Sequence, residues 1–527
     1  MLKRWLPLLM LLACGMFAGE AQAQWTTPQI IDSLQARSIG FFLSEVNPAN
    51  GLVKDRSTPF SASSIASQGF GLSAVCVGID RGVLTRSAGA AKVLRVLQTY
   101  WNGPQGPGTS GVMGYKGLFY HFLDMSTGLR VGTTELSTID TALLLAGVID
   151  AKQYFNTADP TETQIRALAD SLYYRVDWTF VQNSGTHGIK MGWAPEGTGF
   201  GDWIGYNEGM LLYILALGSP THPSDSLGWT RWTSGYQYGT QYGQTFVLFP
   251  PLFGHQYSHC WIDFRQIWDP YMKLKGFTYF ENSRRATYAQ RAYAIANPLH
   301  RVAYNDSLWG LTAGDGPNNT YVARGAPPSQ NDDGTITPTA PASSIAFAPE
   351  IAIPVIRNLY TAWGSSVWGD YAFTDGFNPT KSWYDLDVLG IDQGPMVLMI
   401  ENWRNNSVWL RMMANPDIQR GLRRAGFTPV TLAVDDKGRA IAPRVLWAQP
   451  NPVGTDATIR FRVSERGPAR VGIYDATGRR VAALLDGELD AGIHEAHWDA
   501  RRAPAGVYFA RFEWNGKSAQ RKIVRAQ

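Results

Sequence analysis

Cysteine is nearly absent from this chain: 527 residues contain only Cys14, Cys76 and Cys260. A disulfide framework therefore does not hold it together, and Cys76 and Cys260, flanked by apolar residues, read as buried thiols. Beyond the first 23 residues, no uninterrupted apolar run reaches the roughly 18 residues of a membrane-spanning helix. Charge is sparse as well. Asp, Glu, Lys and Arg make up 17% of the chain, and the net charge of +4 is carried by residues 445–527, with 13 Lys/Arg against 9 Asp/Glu. The balanced remainder gives a polyanion little hold, which argues against nucleic acid as a partner. No GxSxG elbow and no phosphate-cradling P-loop occurs, which removes the commonest serine hydrolase and nucleotide-binding readings. His255 and His259 share a helical spacing but lack the intervening Glu of an HExxH site, so no metal is assigned, and no cofactor is expected.

What the chain does have is length, apolar content and tryptophan. At 45% hydrophobic residues it can bury a large core and form two or three domains. Met1 to Ala23 reads as a secretory signal: Lys3 and Arg4, the apolar stretch Trp5 to Ala13, and the small-residue site Ala21-Gln22-Ala23. Leu11 to Gly15 is similar to a lipoprotein signal in which Cys14 would carry lipid, but the Ala-x-Ala site fits better. From Pro28 to about Phe427 apolar residues recur at helical spacing, as in Pro28 to Phe42, Ser87 to Trp101, Glu135 to Phe155, Thr161 to Val176 and Tyr206 to Leu217. Many helices joined by long loops suit an array of paired helices, and periodicity alone leaves open whether it closes into a ring. Two loops, Ser234 to Gln244 and Gly325 to Ser344, could wall a cleft. Residues 24–444 hold 15 of the 19 tryptophans, whose faces can pack on sugar rings, although core filling explains any single one better. Past a linker at 429–446 the pattern changes to short strands, Thr458 to Val463, Arg470 to Tyr474, Glu495 to Trp498 and Val507 to Phe512, with turn signals between them. Residues 447–527 are thus expected to form a small β-sandwich.

Two acids stand out. Asp392 lies in Gly390-Ile391-Asp392-Gln393-Gly394-Pro395, ahead of the helical stretch Met396 to Trp403. The glycines suggest close approach of backbone to a ligand, Pro395 suits a first helical position, and the positive end of that helix would keep Asp392 ionised, as a general base must be. A turn-stabilising role is the plain alternative. Glu208, in Tyr206-Asn207-Glu208-Gly209-Met210, is the candidate partner. The dipole of its own helix favours the charged form, so a general acid here needs burial or a neighbouring carboxylate. Two acids in a tryptophan-rich chain point to acid/base chemistry on a sugar. Glu135 and Asp140 fall at the start of the helix after Gly132-Thr133-Thr134, and Glu401 sits in Ile400-Glu401-Asn402. Each suits a cleft or a salt bridge equally well.

Seven blocks carry a resemblance: TELSTIDTALLLAG (134–147), YNEGMLLYILALGSPTHP (206–223), PLFGHQYSHCWIDFR (251–265), ENSRRATYAQRAY (281–293), WGLTAGDGP (309–317), DDGTITPTAPASSIAFAPE (332–350) and LGIDQGPMVLMIENWR (389–404). In that order they resemble the glucoamylase-like domain of secreted bacterial proteins, a family that includes the endo-β-1,2-glucanases of glycoside hydrolase family 144. The resemblance implies that residues 24–428 form an (α/α)6 toroid acting on β-glucan by anomeric inversion. Glu208 would be the general acid and Asp392 the general base. It places Glu135, Asp140 and Glu401 along the cleft and His255, Arg284, Arg285 and Asp315 as sugar contacts. Gly209 departs from the Ala expected there. The stretch from Pro450 through Ala505-Gly506-Val507-Tyr508 resembles the C-terminal sorting domains of the type IX secretion pathway, which implies export or surface attachment and contact with that machinery. A plain Ig-like accessory module remains the alternative. Different linkage, exo action or transglycosylation on the same toroid, and a non-catalytic glycan-binding surface protein, are the competing functional readings.

Overall fold

A computed structural model describes residues 25–318, 320–326, 331–430, 444–449, 452–463, 466–490, 492–514 and 517–525. The signal segment 1–23, Cys14 within it, and most of the 429–446 linker lie outside the described residues. Twelve helices form six consecutive outer–inner pairs. They are α1 (Thr27–Ser44) with α2 (Ile65–Asp80), α3 (Arg86–Asn102) with α4 (Thr138–Tyr154), α5 (Pro160–Tyr174) with α6 (Met210–Gly218), α7 (Leu227–Ser234) with α8 (Phe253–Trp261), α9 (Tyr279–Ala296) with α10 (Thr339–Ala342), and α11 (Pro349–Val367) with α12 (Gly390–Asn405). The sequence sorts the two rings by polarity. Every residue of α6 is buried, as is nearly all of α2 and α4, whereas α3 buries only the stripe Gly89, Ala90, Val93, Val96, Leu97 and Tyr100. A helix that is apolar all round must be enclosed, and one with a single stripe encloses it.

The inner ring closes through close contacts and polar links. A Cβ on Gly69 of α2 would lie 2.1 Å from the Leu143 carbonyl of α4, and one on Gly394 of α12 would lie 2.2 Å from the Phe70 ring of α2. Helix α4 packs on α6. The Leu211 amide of α6 donates to Ser258 Oγ of α8 at 3.0 Å, Gln256 of α8 donates to the Ala340 carbonyl of α10 at 2.7 Å, and Thr339 Oγ1 of α10 donates to the Asp392 carbonyl of α12 at 2.9 Å. The result is an (α/α)6 toroid. Each outer helix returns the chain, so the inner helices share one direction and the segments leading into them gather at one end.

The expectations for the loops and for Asp392 take a definite form. Within the Pro- and Thr-rich stretch from Gly325 to Ser344, Ile336 to Ser344 are buried and supply the short inner helix α10. Ser234 to Gln244 leads into a hairpin, Tyr238–Gln241 paired with Gln244–Val247. Helix α12 starts at Gly390, so Asp392 is in its first turn and Pro395 inside it. Gly390 and Gly394 are small because Ser67 and Phe70 of α2 press against them, not because a ligand does.

Beyond residue 443 the described segments form antiparallel strands in two sheets. One holds Arg444–Gln449, Asp456–Val463 and Gly492–Asp499; the other runs in the order Arg480–Leu489, Gly467–Asp475, Gly506–Trp514 and Lys517–Arg525. They enclose a core of their own that includes Ile459, Phe461, Val471, Ile473, Trp498, Phe512 and Trp514. This is the β-sandwich expected. Two strands, Arg480–Leu489 and Lys517–Arg525, lack the apolar alternation that would have revealed them.

Candidate active site

The segments entering the inner helices carry one continuous group of charges. Ahead of α2, Arg56 reaches Asp315 Oδ2 at 2.8 Å, Asp55 Oδ2 at 3.3 Å and Asp387 Oδ2 at 3.5 Å. Ahead of α4, His121 Nδ1 lies 2.8 Å from Glu135 Oε1 and its Nε2 3.5 Å from Asp140 Oδ2. Asp140 also accepts from Ser137 Oγ at 2.5 Å. Burial works against the His121 cation, yet Asp140 and Glu135 raise its pKa to about 9. The hydrogen bond with His121 in turn lowers the Glu135 pKa.

Glu208 stands in the turn that leads into α6, with Gly209 as the N-cap residue. That turn is clamped: Asn207 Oδ1 accepts from the Gly209 amide at 2.9 Å and from Trp232 Nε1 at 3.2 Å, and the Glu208 carbonyl accepts from Ser258 Oγ at 3.2 Å. Gly209 fits because a Cβ there would come within 2.8 Å of Asn207 Oδ1. Burial, reinforced by the nearby Asp140 charge, raises the Glu208 pKa to about 7. The helix-end field, expected to favour ionisation, is outweighed by desolvation.

Asp392 reaches the same end of the toroid from α12. Burial raises its pKa to about 7, against a hydrogen bond from Asp375 that favours its charge; Asp315 and Asp55 repel that charge and Arg56 supports it. The expected ionisation by the helix dipole is again outweighed. Asp375 is itself raised well above the usual carboxylate range, first by burial and then by Asp392. Tyr257 of α8 ties the two halves together: burial suppresses its ionisation, and the charges of Asp392 and Glu208 both add to that. Tyr321, half exposed on the hairpin Ala313–Gly316/Thr320–Ala323, lies in the field of Asp392, Asp375, Asp55 and Asp315.

Of the residues singled out from sequence, Glu208, Asp392, Glu135, Asp140 and Asp315 come together here. Four do not. Glu401 is fully enclosed at the far end of α12, where it accepts from Gln35 at 3.0 Å and pairs with Arg81 at 2.7 Å. Arg284 pairs with Glu350 at 2.6 Å, and Arg285 pairs with Glu281 at 3.0 Å and lies over the Phe277 ring, both away from the acids because α9 belongs to the outer ring. His255 is walled by Tyr206, Phe246 and Phe249, and its Nε2 contacts the Phe249 carbonyl at 3.0 Å; burial lowers its pKa to about 3, and none of the site's acids acts on it. His259 Nε2 lies 3.1 Å from Ser283 Oγ and binds no common partner with His255. Sequence reasoning missed Asp55, Arg56, His121, Tyr257, Tyr321, Asp375 and Asp387. Asp375, in Thr374-Asp375-Gly376, has the appearance of an ordinary turn residue, and the others carry no local signature.

Comparison with known proteins agrees with this fold. Residues 201–416 match the family model described as Putative glucoamylase, and residues 448–526 match that of the Secretion system C-terminal sorting domain. A putative glucoamylase from Bacteroides uniformis is 32% identical, with a TM-score of 0.70 over 77% of this chain and 99% of that one. An endo-β-1,2-glucanase from Chitinophaga pinensis, solved with sophorotriose and glucose, is 27% identical, with a TM-score of 0.69 over 77% and 99% of the two chains. Among curated proteins, an exo β-1,2-glucooligosaccharide sophorohydrolase acting at the non-reducing end, from Parabacteroides distasonis, is 29% identical over 438 residues. The match spans 76% of this chain and 58% of that relative's length. The chain belongs to the glucoamylase-like family of (α/α)6 proteins. Its C-terminal sandwich is a secretion sorting domain, which marks it for export or display at the cell surface, and no helix among the described residues is long and apolar enough to cross a membrane.

Proposed function

We propose that the protein is an exported glycoside hydrolase that cleaves β-1,2-linked glucan internally and with inversion at the anomeric carbon. Glu208 is the general acid: it gives its proton to the glycosidic oxygen as the bond from that oxygen to the anomeric carbon breaks. Asp392 is the general base, taking a proton from the water whose oxygen attacks the opposite face. An inverting pair stands roughly 6.5–9.5 Å apart to admit that water. Glu135, Asp140 and Asp315 are assigned to sugar hydroxyls. The observation that carries this reading is that two desolvated carboxyls from the starts of different inner helices, Glu208 and Asp392, lie at one end of the toroid and both act on Tyr257 between them. Family membership supports the substrate class.

Product analysis tests it. Incubation of the mature protein with linear β-1,2-glucan is expected to release a ladder of oligosaccharides from the outset, and Glu208→Gln to abolish release while the fold persists. Substantial turnover by that variant removes Glu208 as the acid. The Parabacteroides relative favours a second reading, removal of sophorose from the non-reducing end, in which the disaccharide is the sole early product. Binding without new reducing ends would instead indicate a glycan-binding protein. We assign the sorting domain to the type IX secretion machinery as its partner.

A further inference from the structure

Asp375 is a site acid with no role so far, and its surroundings are specific. It is 3% exposed, on the segment leading toward α12, and its Oδ2 accepts the Asp315 amide at 2.5 Å. Gly314 and Gly376 make room for it: a Cβ on Gly314 would lie 2.9 Å from Asp375 Oδ2, and one on Gly376 would lie 3.0 Å from the Asp315 carbonyl. The carboxyls of Asp375 and Asp392 hydrogen-bond to each other, and the two buried oxygens that no other donor satisfies are Asp375 Oδ1 and Asp392 Oδ2. Charge on both members of a buried carboxyl pair is unfavourable, and a proton shared between them relieves it. Arg56 supports charge on Asp392, which also stands in the first turn of α12, whereas the charges that act most strongly on Asp375 are the carboxylates Asp392 and Asp315.

We infer that Asp375 is a positioning residue that keeps the proton on its Oδ1 and donates it to Asp392 Oδ2, leaving Asp392 charged with Oδ1 turned to the attacking water. The groups facing this pair are Asp315, Asp55, Arg56, Tyr257 and Tyr321. Asp375 takes no proton from the water and passes none to the sugar. It fixes the orientation of the base and supports its ionisation, so an amide, which also donates, can stand in for it.

The inference rests on Asp392 being the base, and its test includes a measurement that does not need activity. Asp392→Asn is expected to lower kcat by a hundredfold or more, on the order expected for loss of a general base. Asp375→Asn is expected to stay within about tenfold of the parent. Asp375→Ala falls further and moves the acid limb of the kcat/KM profile to higher pH, by about one unit, because Asp392 loses a donor to its charged form. Structural damage alone lowers the profile without moving that limb. Infrared difference spectra of the full chain, parent against Asp375→Asn at about pH 6, are expected to reveal the carbonyl stretch of a protonated carboxylic acid. A folded Asp375→Asn variant as inactive as Asp392→Asn, or absence of that band, overturns the inference. A parent that cleaves no glucan overturns the functional reading instead, and the spectra still decide where the proton resides.

Discussion

Glu208 illustrates how a single side chain exchanges stability for chemistry. Its pKa rises from 4.5 to about 7 on folding, so between those values the unfolded chain has released a proton that the folded chain retains. Stability therefore falls as pH rises through that window, and the whole cost is present above about pH 7. Glu208→Gln should be more stable than the parent at pH 8, by roughly 1–3 kcal/mol, and little different at pH 4; thermal melts at both pH values test this. The same titration should produce an alkaline limb near pH 7 in kcat/KM that moves if the acid is replaced by a group of different pKa. His121 has the opposite sign. Its folded pKa of about 9 lies above the ordinary 6.5, so its ion pairs stabilise fully below pH 6.5 and are lost as pH rises through 9. His121→Ala should then cost more stability at pH 6 than at pH 9.5, and equal losses at the two values would argue against a charged His121.

At the scale of elements, α12 separates two kinds of acid that local sequence cannot distinguish. Asp392 and Glu401 are both buried on this helix, but its first turn opens on the charge network and its last turns face Gln35 and Arg81. Glu401→Gln should destabilise the fold by about 3 kcal/mol, because a buried pair loses one partner, with kcat of the remaining folded protein unchanged; denaturant curves and single-turnover assays separate the two. Gly394→Ala tests the packing: its Cβ would enter the Phe70 ring, so α12 must shift off α2, at about 1–3 kcal/mol. The helices themselves were legible. The spans Pro28 to Phe42, Ser87 to Trp101 and Thr161 to Val176 lie within two residues of the helices formed, because a 3.6-residue apolar period survives any tertiary arrangement. Helix α10 was not legible. Four residues of Thr339-Ala340-Pro341-Ala342 have no periodicity to read, and only enclosure by its neighbours gives this segment its place in the ring.

For the whole molecule, two separate cores imply two separable tasks. Removal of residues 448–527 should leave glucan cleavage by the purified helical domain intact while the protein fails to leave the producing cell; fractionation and activity assays follow both. The change from helical to strand periodicity and the family blocks around Glu208 and Asp392 are determined by the linear order of residues, since each depends on neighbours a few positions away. Only the tertiary structure decided which acids share a site. Asp55, His121, Asp315 and Asp375 come from segments far apart in the chain, joined because six inner helices point the same way. The same arrangement desolvates Glu208 and Asp392 enough to overrule the helix ends, and it draws Glu401, His255, Arg284 and Arg285 into other contacts.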